Sequence, residues 1–296
     1  MQKQPLQWTV IRLINWTTEY LEERGFENAR LEAERLLAHT LRKKRIDLYL
    51  LFDRPLTPSE LSTYKSCLKR RLSFEPIQYI LQQTEFFSLP LYVDNNVLIP
   101  RPETEVLVQL VIDHIDAHYR RADTVNILDI GTGSGNIAIA LARNVVKTRL
   151  TAVDVSDEAL RVAMKNAETN GVAEQIEFSR WDVFQQPPSV FLHAFDIVVS
   201  NPPYLSKAEY DSGCRDIHAE PVTALIAAKE GLQFYERFSN IAYDLLREEG
   251  CLFLELDENR ATQSLKLFDQ KKWNISEIEN DLAGKARVLK LCTKRG

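Results

Sequence analysis

The sequence predicts an α/β protein in which a small helical domain precedes a parallel β-sheet with helices on both faces. Three observations carry this prediction. About the first 75 residues place apolar side chains at helical spacing throughout. From Val125 onward, apolar runs of strand length alternate with helical stretches. A glycine-rich loop follows the first of these strands, where folds of this class turn from strand to helix.

The composition is that of a globular protein, with 45% hydrophobic and 27% charged residues. Its longest apolar runs are of strand length, far short of the roughly 20 residues that cross a bilayer. The amino terminus is polar and has no pattern of a secretion signal. We therefore expect a cytoplasmic protein that does not enter a membrane. In that compartment we expect reduced thiols at the four widely spaced cysteines, which are Cys67, Cys214, Cys251 and Cys292.

Residues 1–84 are predicted to form the helical domain. In the first helix Val10, Ile14 and Leu21 share one face, and the same spacing recurs after Asn28 and after Pro58. A glycine and two prolines separate these segments. The pattern predicts a small bundle of helices.

Residues 85–122 are predicted to form a β-hairpin and a connecting helix. Short apolar runs flank the turn-forming residues Asp94, Asn95 and Asn96. Pro100 and Pro102 end the hairpin, because proline cannot donate a hydrogen bond to a strand partner. A helical pattern then begins.

Residues 123–296 are predicted to form a Rossmann-like domain. The apolar runs of its strands have the pattern of strands that are buried on both faces. This pattern favours a parallel sheet covered by helices on both faces. Such a sheet binds its ligand at the carboxyl ends of the strands, near the point where the strand order reverses. The predicted strands lie at residues 126–130, 150–155, 176–178, 195–199, 251–255 and 287–291.

The loop from Gly131 to Gly135 follows the first strand of this domain. Its three alternating glycines, with Thr132 and Ser134 between them, allow a tight turn and a close approach of a ligand to the backbone. Asp154 stands 19 positions after Gly135, at the end of the next strand. A carboxylate there can accept hydrogen bonds from both ribose hydroxyls of a nucleoside. The loop and the acid together predict a cofactor that contains a nucleoside.

The sequence of this loop also indicates which nucleoside cofactor is expected. The dinucleotide fingerprint requires a third glycine where this chain has Asn136, and no Gly-Lys-Ser/Thr sequence follows as in a P-loop. Asp129 precedes the loop, and a carboxylate is unfavourable beside a pyrophosphate but suits a positively charged ligand. S-adenosylmethionine carries a sulfonium and an ammonium and no phosphate. We therefore predict S-adenosylmethionine as the cofactor, bound by Asp129, by Asp154 and by the loop.

The strand at residues 195–199 leads into Asn201-Pro202-Pro203-Tyr204. A carboxamide nitrogen is a poor nucleophile, because its lone pair is delocalised into the carbonyl group. The Asn201 side-chain oxygen and the Pro202 carbonyl can accept hydrogen bonds from both N–H bonds of such an amide. Rigid prolines fix these acceptors, and the Tyr204 ring can cover one face of the amide. Positioning then supplies most of the acceleration without a strong general base, which predicts methyl transfer to a planar amide or amine nitrogen.

These motifs are similar to those of the PrmC family of release factor glutamine methyltransferases, and the resemblance runs from the first helices to the end of the chain. Glu220-Pro221 and Asp281 with Arg287-Val288 match later features of that family. The most specific stretches are residues 76–80 (PIQYI), 85–87 (EFF), 97–105 (VLIPRPETE), 131–135 (GTGSG) and 201–204 (NPPY).

The resemblance implies methylation at N5 of the glutamine in the Gly-Gly-Gln motif of bacterial-type class I peptide chain release factors. It also implies that the helical domain helps to bind the release factor. By matching position, Asp182 and Val183 lie beside the adenine, and Asn201 faces both cofactor and substrate. Family members often carry an aromatic residue near Val183, and here Trp181 and Phe184 flank it, which leaves the stacking residue open.

Two other enzymes would use the same motifs. One methylates a glutamine of a ribosomal protein and would share every catalytic residue. The other methylates N6 of adenine in a nucleic acid, since that amino group also fits an Asn-Pro-Pro-Tyr pocket. The balance of 37 basic against 42 acidic residues, a net charge of −5, argues against direct contact with nucleic acid.

A metal site is not expected. His114 and His118 are four positions apart on a predicted helix, with Asp113 and Asp116 nearby, but the sequence supplies no third ligand at a known spacing. We interpret these residues as a solvated helix face. The chain is further expected to be a monomer.

Overall fold

The computed structural model describes residues 7–119, 124–269, 271–281 and 283–294. The chain forms two compact units that divide after Gln82. Of the connecting segment that the sequence predicts at residues 85–122, the described residues lie in the second unit. In the described part of the chain, no helix combines the length and the apolar character that a membrane crossing requires.

The first unit is a bundle of helices around one apolar core. Thr57 begins the third helix with a reciprocal pair of hydrogen bonds to Glu60, in which each side chain accepts from the other residue's backbone N–H. Leu36, Leu37 and Leu48 are fully buried in the core. The helices are α1 (Val10–Glu22), α2 (Ala29–Leu41), α3 (Pro58–Leu72) and α4 (Ile77–Leu81), with a 3₁₀ helix at Arg45–Leu51.

The buried carboxyl group of Glu34 fastens this 3₁₀ helix to α2. It accepts hydrogen bonds from Arg45 Nη1 at 2.9 Å and from the Tyr49 hydroxyl at 3.1 Å. Ile46 and Leu50 on the same 3₁₀ helix remain exposed, at 68% and 87% of their surface. This 3₁₀ helix therefore exposes apolar side chains to solvent while its bonds to Glu34 keep it in place.

The predicted hairpin is confirmed, but its turn lies elsewhere. The strands are β1 (Thr84–Phe86) and β2 (Leu89–Leu91), so the turn consists of Phe87 and Ser88 and not of residues 94–96. Both residues have positive φ, 51° and 60°, as both central residues of a type I′ hairpin turn must have. The Glu105 carboxylate accepts the Phe87 N–H at 2.8 Å. That stabilising contact comes from the following helix, which a local sequence pattern does not reveal.

The second unit contains the predicted sheet, in the strand order β5-β4-β3-β6-β7-β9-β8, in which β8 is Trp273–Asn280 and β9 is Ala286–Thr293. Strands β3 to β7 are parallel, and helices cover both faces. The parallel strands are β3 (Val125–Ile130), β4 (Thr148–Asp154), β5 (Ile176–Arg180), β6 (Phe195–Ser200) and β7 (Leu246–Glu255). The helices are α5 (Thr104–His118), α6 (Asn136–Asn144), α7 (Asp157–Thr169), α8 (Lys207–Ser212), α9 (Gln233–Leu245) and α10 (Ala261–Lys266). The 3₁₀ helices are Ala173–Gln175, Ser189–Phe191, Arg215–Ala219 and Val222–Ala224.

One edge of the sheet is antiparallel, in contrast to the parallel sheet that the sequence predicts. β9 (Ala286–Thr293) pairs antiparallel with β7, and β8 (Trp273–Asn280) pairs antiparallel with β9. The last strand was predicted at residues 287–291, whereas β8 was not predicted. Strand direction depends on the partner strand, and a period of two residues carries no information about that partner.

The prediction of four reduced thiols is wrong for two of them. Cys251 of β7 and Cys292 of β9 stand directly opposite each other and form a disulfide, with their Cα atoms 4.0 Å apart. Cys67 and Cys214 are free. The pair is 41 positions apart in the sequence, and only the antiparallel edge brings its members together.

The prediction of a solvated helix face is wrong for His114. Its ring is buried and lies 5.4 Å from the ring of Phe253 on β7, while His118 is exposed. Burial lowers the pKa of His114 to about 4. A nitrogen of His114 and the sulfurs of Cys251 and Cys292 lie within 4.8 Å of one another, but the bonded sulfurs offer no thiolate to a metal ion.

Candidate active site

A cavity of about 350 Å³ opens at the carboxyl ends of the central strands. Its wall contains Gly131 after β3, Asp154 at the end of β4 and Asn201 after β6. Strand β3 lies between β4 and β6, so the chain crosses in opposite directions on either side of it. The cavity is thus at the reversal point where sheets of this class bind ligands.

The three loop glycines have different structural roles. Gly131 and Gly133 line the cavity, and the Gly131 N–H donates to the Val153 carbonyl at 2.8 Å. Gly135 has a φ of 81° and lies against α7, where a Cβ would stand 3.1 Å from the Cβ of Ala163. The first two glycines therefore leave room for a ligand, and the third leaves room for a helix.

Asp154 lies on the cavity wall with both carboxylate oxygens engaged by the backbone. Its Oδ2 accepts the Gly133 N–H at 2.9 Å, and its Oδ1 accepts the Ser156 N–H at 3.0 Å. A carboxylate has about four acceptor sites, so each oxygen can still accept from a ligand hydroxyl. Burial raises the pKa of Asp154. The Gly133 contact also fixes the distance between the carboxylate and the loop.

Asp129 lies beneath the loop and not on the cavity wall. It is fully buried, and its Oδ2 accepts the Thr132 hydroxyl at 2.7 Å. Its Oδ1 has no hydrogen-bond partner among the described residues. Burial raises the pKa of Asp129 to about 7. Thr132 and Ser134 are also buried and lie away from the wall, so these three predicted residues shape the loop from behind.

The segment after β5 carries the residues that are predicted to lie beside the adenine. Asp182 and Val183 line the cavity together with their neighbours Trp181 and Phe184. Trp181 is buried, while Phe184 is 40% exposed, with its ring 5.0 Å from that of Phe234, which also lines the cavity. Phe184 therefore offers an accessible aromatic face at this end, and Trp181 packs within the core.

Asn201, Pro202 and Pro203 also line the cavity. The Ser200 hydroxyl donates to the Ile130 carbonyl at 2.6 Å and so holds the end of β6 against β3. Tyr204 does not line the cavity; it is half-buried against the core behind it. Burial raises the pKa of Tyr204. The structure thus places the Asn-Pro-Pro part of the motif beside Asp154 and the loop, with the tyrosine behind.

Further residues hold this site, and sequence reasoning assigned them no role. Asn166 of α7 is fully buried, and its Nδ2 donates to the Ser134 carbonyl at 2.9 Å. The same side chain exchanges hydrogen bonds with the backbone of Tyr92. An asparagine on an amphipathic helix resembles a solvated residue in sequence, so no local signal marks it.

Glu220 connects two segments that contribute to the cavity wall. Its buried carboxylate accepts the Ile99 N–H at 3.1 Å and an Arg101 N–H at 2.7 Å. Pro221, which follows it, lines the cavity, as do Val97 and Leu98 of the loop after β2. Glu220 therefore holds this loop against the segment that carries Pro221.

The wall chemistry fits a cationic nucleoside. Of the described residues that line the cavity, Asp154 and Asp182 are acidic and none is lysine or arginine. A phosphate-bearing cofactor would meet two carboxylates without a counter-charge, whereas a sulfonium is stabilised by them. A volume of about 350 Å³ is within the usual range for small-molecule sites. These observations favour S-adenosylmethionine.

Comparison with known protein families gives two matches. Residues 12–81 match the PrmC N-terminal domain, and residues 104–220 match the methyltransferase small domain. The first covers most of the helical unit. The second covers α5, the glycine loop, Asp154 and Asn201.

Several curated relatives are similar over nearly the whole chain. A release factor glutamine methyltransferase of Rhodopirellula baltica is 37% identical over 288 residues, which are 96% of this chain and 96% of the relative. One of Chlorobaculum tepidum is 39% identical over 279 residues, covering 92% of this chain and 94% of the relative. A solved methyltransferase from Pyrococcus furiosus has a TM-score of 0.50 at 19% identity, covering 70% of this chain and 89% of that one. The solved structure supports the fold alone.

Proposed function

This chain belongs to the release factor glutamine methyltransferase family, and on that basis we propose that it methylates a glutamine side chain of peptide chain release factors. The proposed donor is S-adenosylmethionine, and the proposed acceptor is N5 of the glutamine in the Gly-Gly-Gln motif of bacterial-type class I factors. One observation carries this proposal. Asn201 and Pro202 share the wall of an acidic cavity with Asp154, at the reversal point of the sheet.

The described residues can hold the cofactor without a phosphate-binding group. Asp154 would accept the ribose hydroxyls, and Asp182, Val183 and Phe184 would surround the adenine. The loop backbone at Gly131 and Gly133 would lie along the methionine part. When bound, S-adenosylmethionine supplies an electrophilic methyl group on a positively charged sulfur. Carboxylates near that charge stabilise the bound form of the cofactor.

Asn201 and Pro202 would orient the target amide. The Asn201 Oδ1 and the Pro202 carbonyl are acceptors for the two N–H bonds of the glutamine carboxamide, and Pro203 restricts the backbone that carries them. Hydrogen bonds to both N–H groups keep the amide planar and direct its nitrogen at one point in the cavity. Such positioning can contribute several powers of ten to a rate. The nitrogen loses its proton after methylation, so no strong base is required.

We further propose that the helical unit contributes to recognition of the release factor. The match of residues 12–81 to the PrmC N-terminal domain supports this role. We expect the enzyme to act as a monomer in the cytoplasm, where release factors function, and to make no direct contact with nucleic acid.

The proposal is tested by competition between acceptors. Purified protein is incubated with methyl-labelled S-adenosylmethionine in a mixture of release factor, ribosomal proteins and DNA, and the labelled species is identified. We expect label in the release factor alone. Label in a ribosomal protein would support the rival glutamine methyltransferase, and label in DNA the adenine-N6 enzyme; either result would overturn the release factor assignment.

A further inference from the structure

The Asn201 carboxamide is held from behind by Thr104, the first residue of α5. The Asn201 Nδ2 donates to the Thr104 Oγ1 at 3.0 Å. Thr104 is fully buried and does not line the cavity. The two residues are 97 positions apart in the chain. The fold, and not local sequence, therefore brings the hydroxyl group to the amide.

A second buried group lies beyond Thr104. Glu255, the last residue of β7, interacts with Thr104, whose hydroxyl group holds the pKa of the Glu255 carboxyl below the value that burial alone would give it. Glu255 is only 1% exposed, and its Oε2 has no hydrogen-bond partner among the described residues. An ionised carboxylate can accept hydrogen bonds but cannot donate them. While Glu255 is ionised, the Thr104 hydroxyl is therefore the donor in this pair.

The direction of this first bond decides the direction of the second. A hydroxyl group has one proton, and Thr104 directs it to the ionised Glu255 carboxylate whose pKa it lowers. The Thr104 oxygen is then left to accept, and the group that donates to it is the NH₂ of Asn201. The two ends of a carboxamide have nearly the same shape, so packing does not choose between them. The hydrogen-bond partner makes that choice.

We propose that Thr104 and Glu255 are positioning residues that keep the carboxamide oxygen of Asn201 directed into the cavity. The inference rests on the proposed function, in which that oxygen accepts an N–H bond of the substrate glutamine. With the Asn201 amide reversed, its NH₂ would face the NH₂ of the substrate. Two donors would then oppose each other, and the glutamine nitrogen would lose its alignment.

Two variants at Thr104 separate the hydroxyl group from the space that it fills. Thr104→Val keeps the shape and removes the hydroxyl, whereas Thr104→Ser keeps the hydroxyl. At saturating S-adenosylmethionine and release factor, we expect Thr104→Val to lower kcat by about 10- to 100-fold, the range that follows from a misplaced reacting group. Thr104→Ser should stay within a few-fold of the wild type. The dissociation constant for the cofactor, measured by calorimetry, should be similar in all three proteins.

The outcomes distinguish this inference from the proposed function. A wild-type protein that leaves the glutamine unmethylated would contradict the proposed function. A wild type that methylates, with Thr104→Val equally fast, would contradict the positioning role alone. Equal losses in the Val and Ser variants would also contradict it, because the hydroxyl group would then be irrelevant.

A variant at Glu255 decides the question even if Thr104→Val does not fold. Burial raises the pKa of Glu255 to about 7. Once protonated, Glu255 can donate to Thr104, which frees the Thr104 proton for the Asn201 oxygen and favours the reversed amide. The charged and titratable side chains that act electrostatically on Glu255 are Arg101 and Glu103 before α5, Tyr204 after β6, Tyr235 on α9 and Arg287 on β9.

The expected signature is a pH dependence that Glu255→Gln removes. In the wild type, kcat should fall as pH decreases from 8 to 6, while in Glu255→Gln, which has no proton to gain, kcat should stay level. Saturating cofactor is essential, because the pKa of Asp129 is also raised to about 7 and its ionisation can alter cofactor affinity. The same fall of kcat in both proteins would overturn the role of Glu255.

Discussion

At the scale of single residues, Asp154 combines two tasks that can be separated by substitution. It fixes the loop through the Gly133 N–H at 2.9 Å, and it is proposed to accept the ribose hydroxyls. Asp154→Asn keeps the size and removes the charge. Because a hydrogen bond to a charged group contributes about 1.5–3 kcal/mol, we expect the dissociation constant for S-adenosylmethionine to rise by about 10- to 100-fold. Isothermal titration calorimetry measures it.

Asp157→Asn is the matched control. Asp157 stands three positions further, is exposed, and pairs with Arg180 at 3.0 Å on the surface. It should leave cofactor affinity unchanged, since exposed ion pairs contribute little. Unchanged affinity in Asp154→Asn as well would show that Asp154 is a loop residue only.

Asp129 gives a prediction about stability and pH. Its pKa in the folded protein is raised to about 7 from a reference of 3.8, so the folded state binds more protons than the unfolded state between these values. The contribution of Asp129 to stability is therefore present below about pH 4 and is lost as pH rises through 7. Asparagine does not titrate. Without cofactor, the melting temperature of Asp129→Asn minus that of the wild type should therefore be larger at pH 8 than at pH 5.

Thermal unfolding of both proteins at the two pH values measures that difference. Other buried acids, such as Glu255, titrate in both proteins and cancel in the comparison. A melting-temperature difference that is the same at pH 5 and pH 8 would contradict a raised pKa at Asp129.

Local spacing in the sequence singles out two residues that the fold brings to the cavity wall. Asp154 and Asn201 were both predicted, and both reach the cavity wall. Thr104 and Asn166 were not assigned roles in the site, because their roles depend on partners 97 and 32 positions away, Asn201 and Ser134. A hydroxyl or an amide is informative only when the fold shows which group it faces.

At the scale of elements, the close approach of the glycine loop to α7 allows a direct comparison of two glycines. Gly135→Ala would place a Cβ 3.1 Å from the Cβ of Ala163 in a backbone with φ of 81°. Gly171 has a similar φ of 69°, but nothing lies within 4 Å of its Cβ position. Gly171→Ala should cost about 1 kcal/mol through φ alone. Gly135→Ala should cost about 1–3 kcal/mol more, because the overpacked helix must move.

Urea unfolding of both variants measures the two losses in the free energy of unfolding. Equal losses would mean that the loop and α7 are not tightly packed at Gly135. Reduced cofactor affinity in the Gly135 variant would follow from the same displacement, because α7 also carries Asn166, which holds the loop.

The type of each secondary-structure element was predicted better than the elements with which it pairs. The strands β3 to β7 coincide with apolar runs that the sequence displays, whereas β8 and the turn at Phe87 and Ser88 were missed. Both depend on contacts with distant elements, β9 for the strand and Glu105 for the turn. Periodicity reports which face of an element is buried, and it does not report what covers that face.

At the scale of the whole molecule, the helical unit is proposed to recognise the body of the release factor. Ile46 and Leu50 are its clearest exposed apolar side chains on one element, and exposed apolar surface of this kind is typical of protein interfaces. The double substitution Ile46→Ser and Leu50→Ser should raise KM for the intact release factor by about 10-fold or more, since burial of each side chain contributes about 1.5–3 kcal/mol. Activity on a short Gly-Gly-Gln peptide should be unaffected.

Val146→Ser provides the control in the second unit, because Val146 is 71% exposed and lies outside the cavity wall. This substitution should change neither the KM for the intact release factor nor the activity on the short peptide. Steady-state kinetics with both substrates measures the effect, and an unchanged KM for the intact factor in the double variant would place recognition elsewhere.

The most direct test of the account is to locate the added methyl group. Release factor is incubated with S-adenosylmethionine and either the wild type or Asn201→Ala, and tandem mass spectrometry assigns the modified atom group. We expect one methyl on the glutamine side chain of the Gly-Gly-Gln motif with the wild type. With Asn201→Ala we expect at least a 100-fold slower reaction at near-normal cofactor affinity. A methyl group on any other residue, or full activity of Asn201→Ala, would contradict the account.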